Sequence, residues 1–285
     1  MTFSIAGYDP ETGELGVAVQ SKFLGVGSVV PWAKSGVGAV ATQSYANPAY
    51  GPMGLDLLEQ DKSAQETIDI LTSQDEGRAY RQVGIVDSNG NAATFTGEHC
   101  YNWAGGRTGK HYAAQGNILV DENTVDKMAE TFERTSGSLA DRLLAALAAG
   151  QEAGGDKRGQ QSAALYVVKK HGGYLGVNDH YIDLRVDDHS EPINELQRIY
   201  LLHQLYFGVT QPDDVLLVKD EIKNDVAFHL RRLGYISSNK IDESRLIEAL
   251  TAFIHKENFE NRELKEGQID AKVLGFLKSK QETQR

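Results

Sequence analysis

The chain has 285 residues, 40% hydrophobic and 24% charged, a balance that suits a folded, water-facing protein with room for one large domain and a small one. Its net charge of −11 divides as −10 over residues 1–212 (16 Lys+Arg, 26 Asp+Glu) and −1 over the rest (13 and 14), so neither part carries the basic surplus that a phosphate backbone demands. Cys100 is the single cysteine, so the chain forms no internal disulfide, and no run reaches the roughly eighteen apolar residues that span a bilayer. The first residues lack the basic and apolar regions of a secretory signal, so a cytoplasmic protein without nucleic-acid or membrane partners is expected.

In chain order, Phe3–Tyr8 and Glu14–Gln20 read as strands on either side of Asp9-Pro10-Glu11-Thr12-Gly13, which predicts a hairpin at the start of the chain. Val37–Ser44 is a further small-residue strand, whose glycines and alanines predict close approach of another backbone. A helix is expected near Gly54–Gln60, and Ser63-Ala64-Gln65-Glu66 is a capping box opening a second helix through Leu71. Arg81–Val86 and Ala92–Thr96 flank an Asn-Gly turn, a second hairpin. Tyr112–Leu119 reads as a strand and is followed by helices near Asn123–Arg134 and Leu139–Ala149, the latter capped by Ser138 with Asp141. Beyond the Gly-rich loop Gln151–Gln161 lie strands Ser162–Lys170 and Tyr181–Val186. An amphipathic helix follows over Glu191–Phe207.

Many short strands and paired helices predict an α+β fold with two sheets, each covered by helices on its outer face, a four-layer αββα sandwich. A single antiparallel sheet is the competing arrangement. Gly208–Asp214 marks a boundary, so the domains are expected at 1–210 and 211–285. The second has three helices, near Lys219–Leu233, Glu243–Glu257 and Asp270–Ser279, no strands, and an all-α fold.

One residue carries chemistry from its position alone. Thr2 is small enough for Met1 to be removed ahead of it, and a free N-terminal threonine combines a hydroxyl nucleophile with an amine of pKa about 7.7–8.0 that can take its proton. The alternative is a β-branched residue that merely starts an edge strand.

Several segments resemble the Domain of Unknown Function 1028 family. They are Thr2-Phe3-Ser4-Ile5, Gly13–Lys22, Val37–Gln43, Asn47-Pro48-Ala49-Tyr50-Gly51, Trp103-Ala104-Gly105, Gln115-Gly116-Asn117, Gly154–Ser162 and Asp183–His189, in order over about residues 2–190. The resemblance implies an N-terminal-nucleophile (Ntn) hydrolase-like fold and leaves the substrate open. The opening hairpin also resembles proteasome-type Ntn hydrolases, with one departure: where that pattern places an acid, this chain has Gln20-Ser21. Leu230–Tyr235, Leu250–Phe253, Glu257-Asn258 and Ile269-Asp270 resemble a peptidoglycan-binding-type helical module, for which a structural or dimer-forming role is favoured.

With this resemblance, Lys22 is a candidate for keeping the Thr2 amine neutral by like-charge repulsion, or else a solvated strand-end lysine. Asn117, beside Gly116, is a candidate oxyanion donor or a turn asparagine. Gln43 and Asn47 could bind substrate polar groups or only satisfy loop backbone. Asp156 and Arg158, in the glycine-flanked loop, could order the pocket, clamp a substrate carboxylate, or form a surface ion pair. Cys100 is the rival nucleophile, but adjacent strand residues point to opposite faces, which places His99 badly as its base; His111 is the other candidate base. The histidines match no zinc motif, so neither metal nor cofactor is expected. The reading is therefore an Ntn-type amidohydrolase that cleaves a C–N bond in a small amide, peptide-like or cyclic molecule, with a homodimer expected from bare sheet edges and the helical tail. Two alternatives stand beside it: a non-catalytic binding protein on the same fold, and a cell-wall amide hydrolase or binder.

Overall fold

The computed structural model describes residues 2–237 and 242–281, and by contact density the chain divides into two compact units, Met1–Arg198 and Ile199–Arg285. The first unit opens with the expected hairpin, β1 (Thr2–Tyr8) and β2 (Leu15–Ser21). Its turn is held because the Asp9 side chain accepts from Glu11 N at 2.9 Å and because Gly13 adopts φ 72°. Four more strands, β7 (Gly105–Gly109), β8 (Tyr112–Asn117), β9 (Ser162–Val168) and β10 (His180–Val186), complete a six-stranded antiparallel sheet in the order β10-β9-β2-β1-β8-β7. A second sheet has the order β3-β4-β5-β6, from β3 (Pro31–Lys34), β4 (Gly38–Ser44), β5 (Arg81–Asp87) and β6 (Ala92–Thr96).

Helices α1 (Tyr50–Glu59) and α2 (Ala64–Ser73) cover the four-stranded sheet, burying Leu55, Leu58, Ile68 and Leu71 against Val40, Val83 and Ile85. Helix α2 starts at the predicted capping box, and α1 starts earlier than expected, with Pro52 in its first turn where a missing N–H does no harm. Helices α3 (Asn123–Arg134) and α4 (Leu139–Glu152) cover the six-stranded sheet. They do so closely: a Cβ at Gly7 would lie 3.1–3.2 Å from Leu139, Leu143 and Phe132. Between the sheets the core is small-residued, with Ala6, Ala39, Ala41, Ala113 and Ala164 beside Val17, Val19 and Val86. The backbones come close enough that a Cβ on Gly84 would fall 1.9 Å from Gln115 Oε1. This is the four-layer αββα sandwich expected from the sequence. The expected hairpins, both capping boxes and the αα pairs are all present, together with two unforeseen strands, β3 and β7.

The second unit begins within helix α5 (Pro192–Phe207) and contains α6 (Asp220–Arg232), α7 (Glu243–Lys256) and α8 (Ala271–Ser279). Its core gathers Leu230, Phe253, Phe259, Ile269, Val273 and Leu277. The expectation that this region lacks strands is corrected: β11 (Val215–Leu217) and β12 (Gln268–Asp270) form a two-stranded antiparallel ladder. Three residues per strand are too few for any alternation to register in the sequence. Arg262, 2% exposed, donates to Asp270 Oδ2 at 2.8 Å and to the Gln204 carbonyl at 2.7 Å, and Asp270 Oδ1 accepts from Lys272 N at 2.7 Å to cap α8. Among the described residues no helix is long and apolar enough to cross a membrane.

Candidate functional site

Alternation along β1 puts Thr2, Ser4 and Ala6 on one face, the face turned toward the second sheet. Ala6 packs in the inter-sheet core, Ser4 meets Gln43 of β4, and Thr2, at the end of the strand, reaches a cavity of about 390 Å³. Thr2 is 5% exposed, and its Oγ1 lies 3.0 Å from Ser21 Oγ, where either hydroxyl can donate. Its carbonyl accepts from Gln43 Nε2 at 3.3 Å and Asn117 Nδ2 at 3.5 Å. Met1, whose removal the sequence reading requires, lies outside the described residues.

Behind Thr2 the space between the sheets is wired by neutral side chains. Ser4 Oγ donates to Gln43 Oε1 at 2.6 Å, Gln115 Nε2 donates to Ser4 Oγ at 2.7 Å, and Gln43 Nε2 and Asn117 Nδ2 each donate to Gln82 Oε1 at 2.8 Å. Gln82 in turn donates to the Gly116 carbonyl at 2.7 Å and Thr96 Oγ1 at 2.9 Å. Gln43, Gln82, Gln115 and Asn117 are all at most 1% exposed, so this connected set is what makes their burial tolerable.

The walls of the cavity carry charge of one sign. Lys22, Arg81 and Arg158 line it, together with Tyr45, Phe23, Val26, Val29 and Val30, and no carboxylate does among the described residues. The Lys22 ammonium is anchored on the Gln160 carbonyl at 3.2 Å. Arg158 is clasped by Asp156, which accepts from its Nη2 at 3.0 Å, its Nε at 3.3 Å and its backbone N at 2.9 Å. Asp156 also accepts from the Lys22 backbone N at 3.2 Å, so it ties the glycine-rich loop to the end of β2. Positive φ at Gly154 (123°), Gly155 (60°) and Gly159 (96°) explains why that loop is glycine-rich.

Arg81, at the start of β5, donates from Nε to Asp75 Oδ2 at 2.8 Å and from Nη1 to the Tyr45 carbonyl at 2.6 Å. The Arg81 guanidinium outweighs the effect of burial and, with the Tyr50 hydroxyl and Gly77 amide, holds the Asp75 carboxyl far below the usual carboxylate range. The Tyr50 hydroxyl is pushed up, first by burial and then by its bond to Asp75.

Of the residues singled out in the sequence, Thr2, Lys22, Gln43 and Arg158 converge on one cavity, with Asp156 directly behind Arg158. Asn117 is adjacent but turned inward, onto Gln82 and the Thr2 carbonyl. Asn47 is not a cavity residue: it bonds Asp75 at 3.4 Å and accepts from Ala49 N at 3.2 Å, bracing the start of α1. Ser21, Arg81 and Tyr45 line the same cavity and are not among the site residues expected from the sequence. Ser21 stands inside a recognised motif, and a hydroxyl ending the strand paired with β1 was the available signal. Arg81 offered none, because its partner Asp75 belongs to a turn. Cys100 is 8% exposed and its thiol donates to the Arg81 carbonyl at 3.3 Å, a packing role. No group of three or more His, Cys, Asp or Glu side chains is placed to hold a metal among the described residues.

Comparison with known proteins gives the lineage. The profile of the "Family of unknown function (DUF1028)" matches residues 2–196, and that of a "Putative peptidoglycan binding domain" matches residues 206–277. A crystal structure of the DUF1028 protein SPO2555 from Silicibacter pomeroyi is 35% identical, with a TM-score of 0.66 over 71% of this chain and 86% of that one. The Anbu (ancestral beta-subunit) protein from Yersinia bercovieri aligns at 12% identity and a TM-score of 0.32 over 70% of this chain and 93% of its own. A search of curated proteins finds no match. By the extent of the profile match and the identity to SPO2555, the chain belongs to the DUF1028 family.

Proposed function

We propose that the chain, once Met1 is removed, is an N-terminal-nucleophile hydrolase that cleaves a C–N bond in a small amide, peptide-like or cyclic substrate. The observation that carries this reading is the position of Thr2. The residue that becomes N-terminal is also the one whose hydroxyl is held by Ser21 at 3.0 Å on the wall of a cation-lined cavity. In the proposed reaction Thr2 Oγ attacks the substrate carbonyl carbon while its proton passes to the Thr2 amine. Collapse of the tetrahedral adduct breaks the C–N bond, and the amine returns the proton to the leaving nitrogen. Water, deprotonated by the same amine, then hydrolyses the resulting ester and frees Thr2. Gln43 and Asn117 act as positioning residues through the Thr2 carbonyl, Ser21 orients the hydroxyl, and Lys22 contributes positive charge that favours a neutral amine.

A non-catalytic binding protein is the second reading, and the inward turn of Asn117 favours it, since that amide then offers no donor to an oxyanion in the cavity. Intact mass and a turnover screen against amides, ureides and imides separate the two. The hydrolase reading expects a mature chain that begins at Thr2 and turns over at least one compound class, with activity lost in Thr2→Ala. A chain that keeps Met1 and is fully active sinks the mechanism. The working form in this reading is a cytoplasmic homodimer, for which light scattering of the purified protein is the test.

A further inference from the structure

The cavity says more about its occupant than that it contains an amide. Chain-wide the protein is acidic, at −11, yet the three charged side chains on this wall are all cations. They are not equivalent. Arg158 presents its Nε and Nη2 to Asp156, and Lys22 is anchored on a loop carbonyl. Arg81 is different: Asp75 and the Tyr45 carbonyl engage three of its five N–H groups, leaving one on Nη1 and one on Nη2. Its side chain is 22% exposed and Asp75 is kept ionised, so the guanidinium is both fixed in place and open to the cavity. A fixed guanidinium with spare N–H groups is matched to a planar, two-oxygen anion.

Beside the polar Thr2, Ser21, Gln43 and Ser44, part of the remaining wall is apolar and aromatic. Val26, Val29, Val30 and Phe23 face the same space. Tyr45, 53% exposed, continues outward into Tyr80 at a ring separation of 5.8 Å and Tyr101 at 6.3 Å. A cavity of about 390 Å³ has the size of a small-molecule site.

We propose that the Thr2 cavity takes an N-acylated amino acid or similar amide bearing a free carboxylate, with that carboxylate on Arg81, the amide at Thr2 and an apolar or aromatic side chain against Phe23 and the valines. Asp75 is then a positioning residue that aims Arg81, and Lys22 adds long-range attraction for the anion. The inference rests on the hydrolase reading only for which bond breaks; the carboxylate site stands by itself.

The test uses the full chain carrying Thr2→Ala, so that binding is measured without turnover. A panel of N-acetyl amino acids (glycine, leucine, phenylalanine, glutamate) is titrated beside the matching N-acetyl amino acid amides, which differ only in the charge at the carboxyl end. The expected result is that at least one acid binds about ten- to hundredfold more tightly than its amide, the value of a charge-assisted hydrogen-bonded contact. Adding Arg81→Met is expected to erase that preference while leaving the amide's affinity unchanged. Should Arg81→Met fail to fold, Arg81→Lys decides, since it keeps the charge but loses the fork and is expected to lose most of the preference. Equal binding of acid and amide, no binding by any acid of the panel, or a preference that survives the Arg81 variants overturns the proposal. The native chain is assayed for turnover of the same compounds in parallel. Acid preference without turnover refutes the hydrolase reading and keeps the carboxylate site, and turnover without acid preference does the reverse.

Discussion

In the N-terminal unit the buried polar side chains between the sheets are neutral, the amides Gln43, Gln82, Gln115 and Asn117 with the Ser4 hydroxyl. In the C-terminal unit the deepest polar contact is an ion pair, Arg262 with Asp270, whose side chains are 1% and 0% exposed. A neutral network can be buried beside a site without imposing a field on it, so the charged side chains at the cavity are free to set the local potential. A buried ion pair does a different job. It holds a loop, a strand and the start of a helix together in a module whose core is small, and it makes that hold sensitive to charge. Here a neutral network backs Thr2, whereas the buried ion pair of the C-terminal unit braces its architecture.

The largest expected effect tests the first half of that contrast. Thr2→Ala should lower turnover by about a thousandfold or more, because it deletes the attacking atom, while the fluorescence melting of Trp32 and Trp103, both in the N-terminal unit, stays within about two degrees of the parent. A large loss of melting temperature would mean that Thr2 is holding the hairpin.

Next in size is the ion pair. Arg262→Met leaves a buried carboxylate without its cation and should destabilise the C-terminal unit by about 3–5 kcal/mol. Hydrogen exchange over residues 199–281 should accelerate while that over residues 2–198 is unchanged. Uniform acceleration would show that the two units do not unfold separately.

The hairpin, both capping boxes and the paired helices were legible because each depends on neighbours in sequence. Asp9 and Gly13 make their own turn, and Ser63 and Glu66 cap each other three residues apart. In the N-terminal unit the missed strands are β3 and β7, edge strands that carry a leading proline or three glycines and so show no alternation. At the site, Gln43 and Asn117 were visible as polar residues within otherwise apolar strands. Gln82 and Arg81 were not, because a polar pair opening a strand looks like any solvated strand end. What fixes their roles is contact across the sheets, and spacing along the chain carries no record of it.

Acid sharpens the contrast further. Burial alone would raise the Asp270 carboxyl, but hydrogen bonds from Thr210, Arg262 and the backbone amides of Lys272 and Val273 outweigh it and hold it below the usual range. A depressed carboxylate contributes its full stabilisation above its unfolded pKa of about 3.9 and loses it as pH falls through the lower folded value. Exchange in the C-terminal unit is therefore expected to accelerate progressively below about pH 4, a dependence that Asp270→Asn should remove. The neutral inter-sheet network has nothing to titrate in that range. Its own test is Gln43→Leu, expected to cost about 1–3 kcal/mol by stripping partners from Ser4 and Gln82 and to reduce turnover through the loosened Thr2 carbonyl.

The smallest expected effect separates the two nucleophile candidates. The Cys100 thiol donates to the Arg81 carbonyl, but that carbonyl also accepts from Gly97 N at 2.9 Å, so it keeps a backbone partner when the thiol is gone. Cys100→Ala should then cost about 1 kcal/mol or less in the N-terminal unit and leave turnover within about twofold. The thiol is buried against a strand end and the His99 ring packs tilted against Tyr80 at 5.0 Å, a geometry for packing. Activity that tracks Cys100 while surviving Thr2→Ala would move the chemistry off β1 altogether. The neutral network behind Thr2 would then be a packing device, on the same footing as the ion pair of the C-terminal unit.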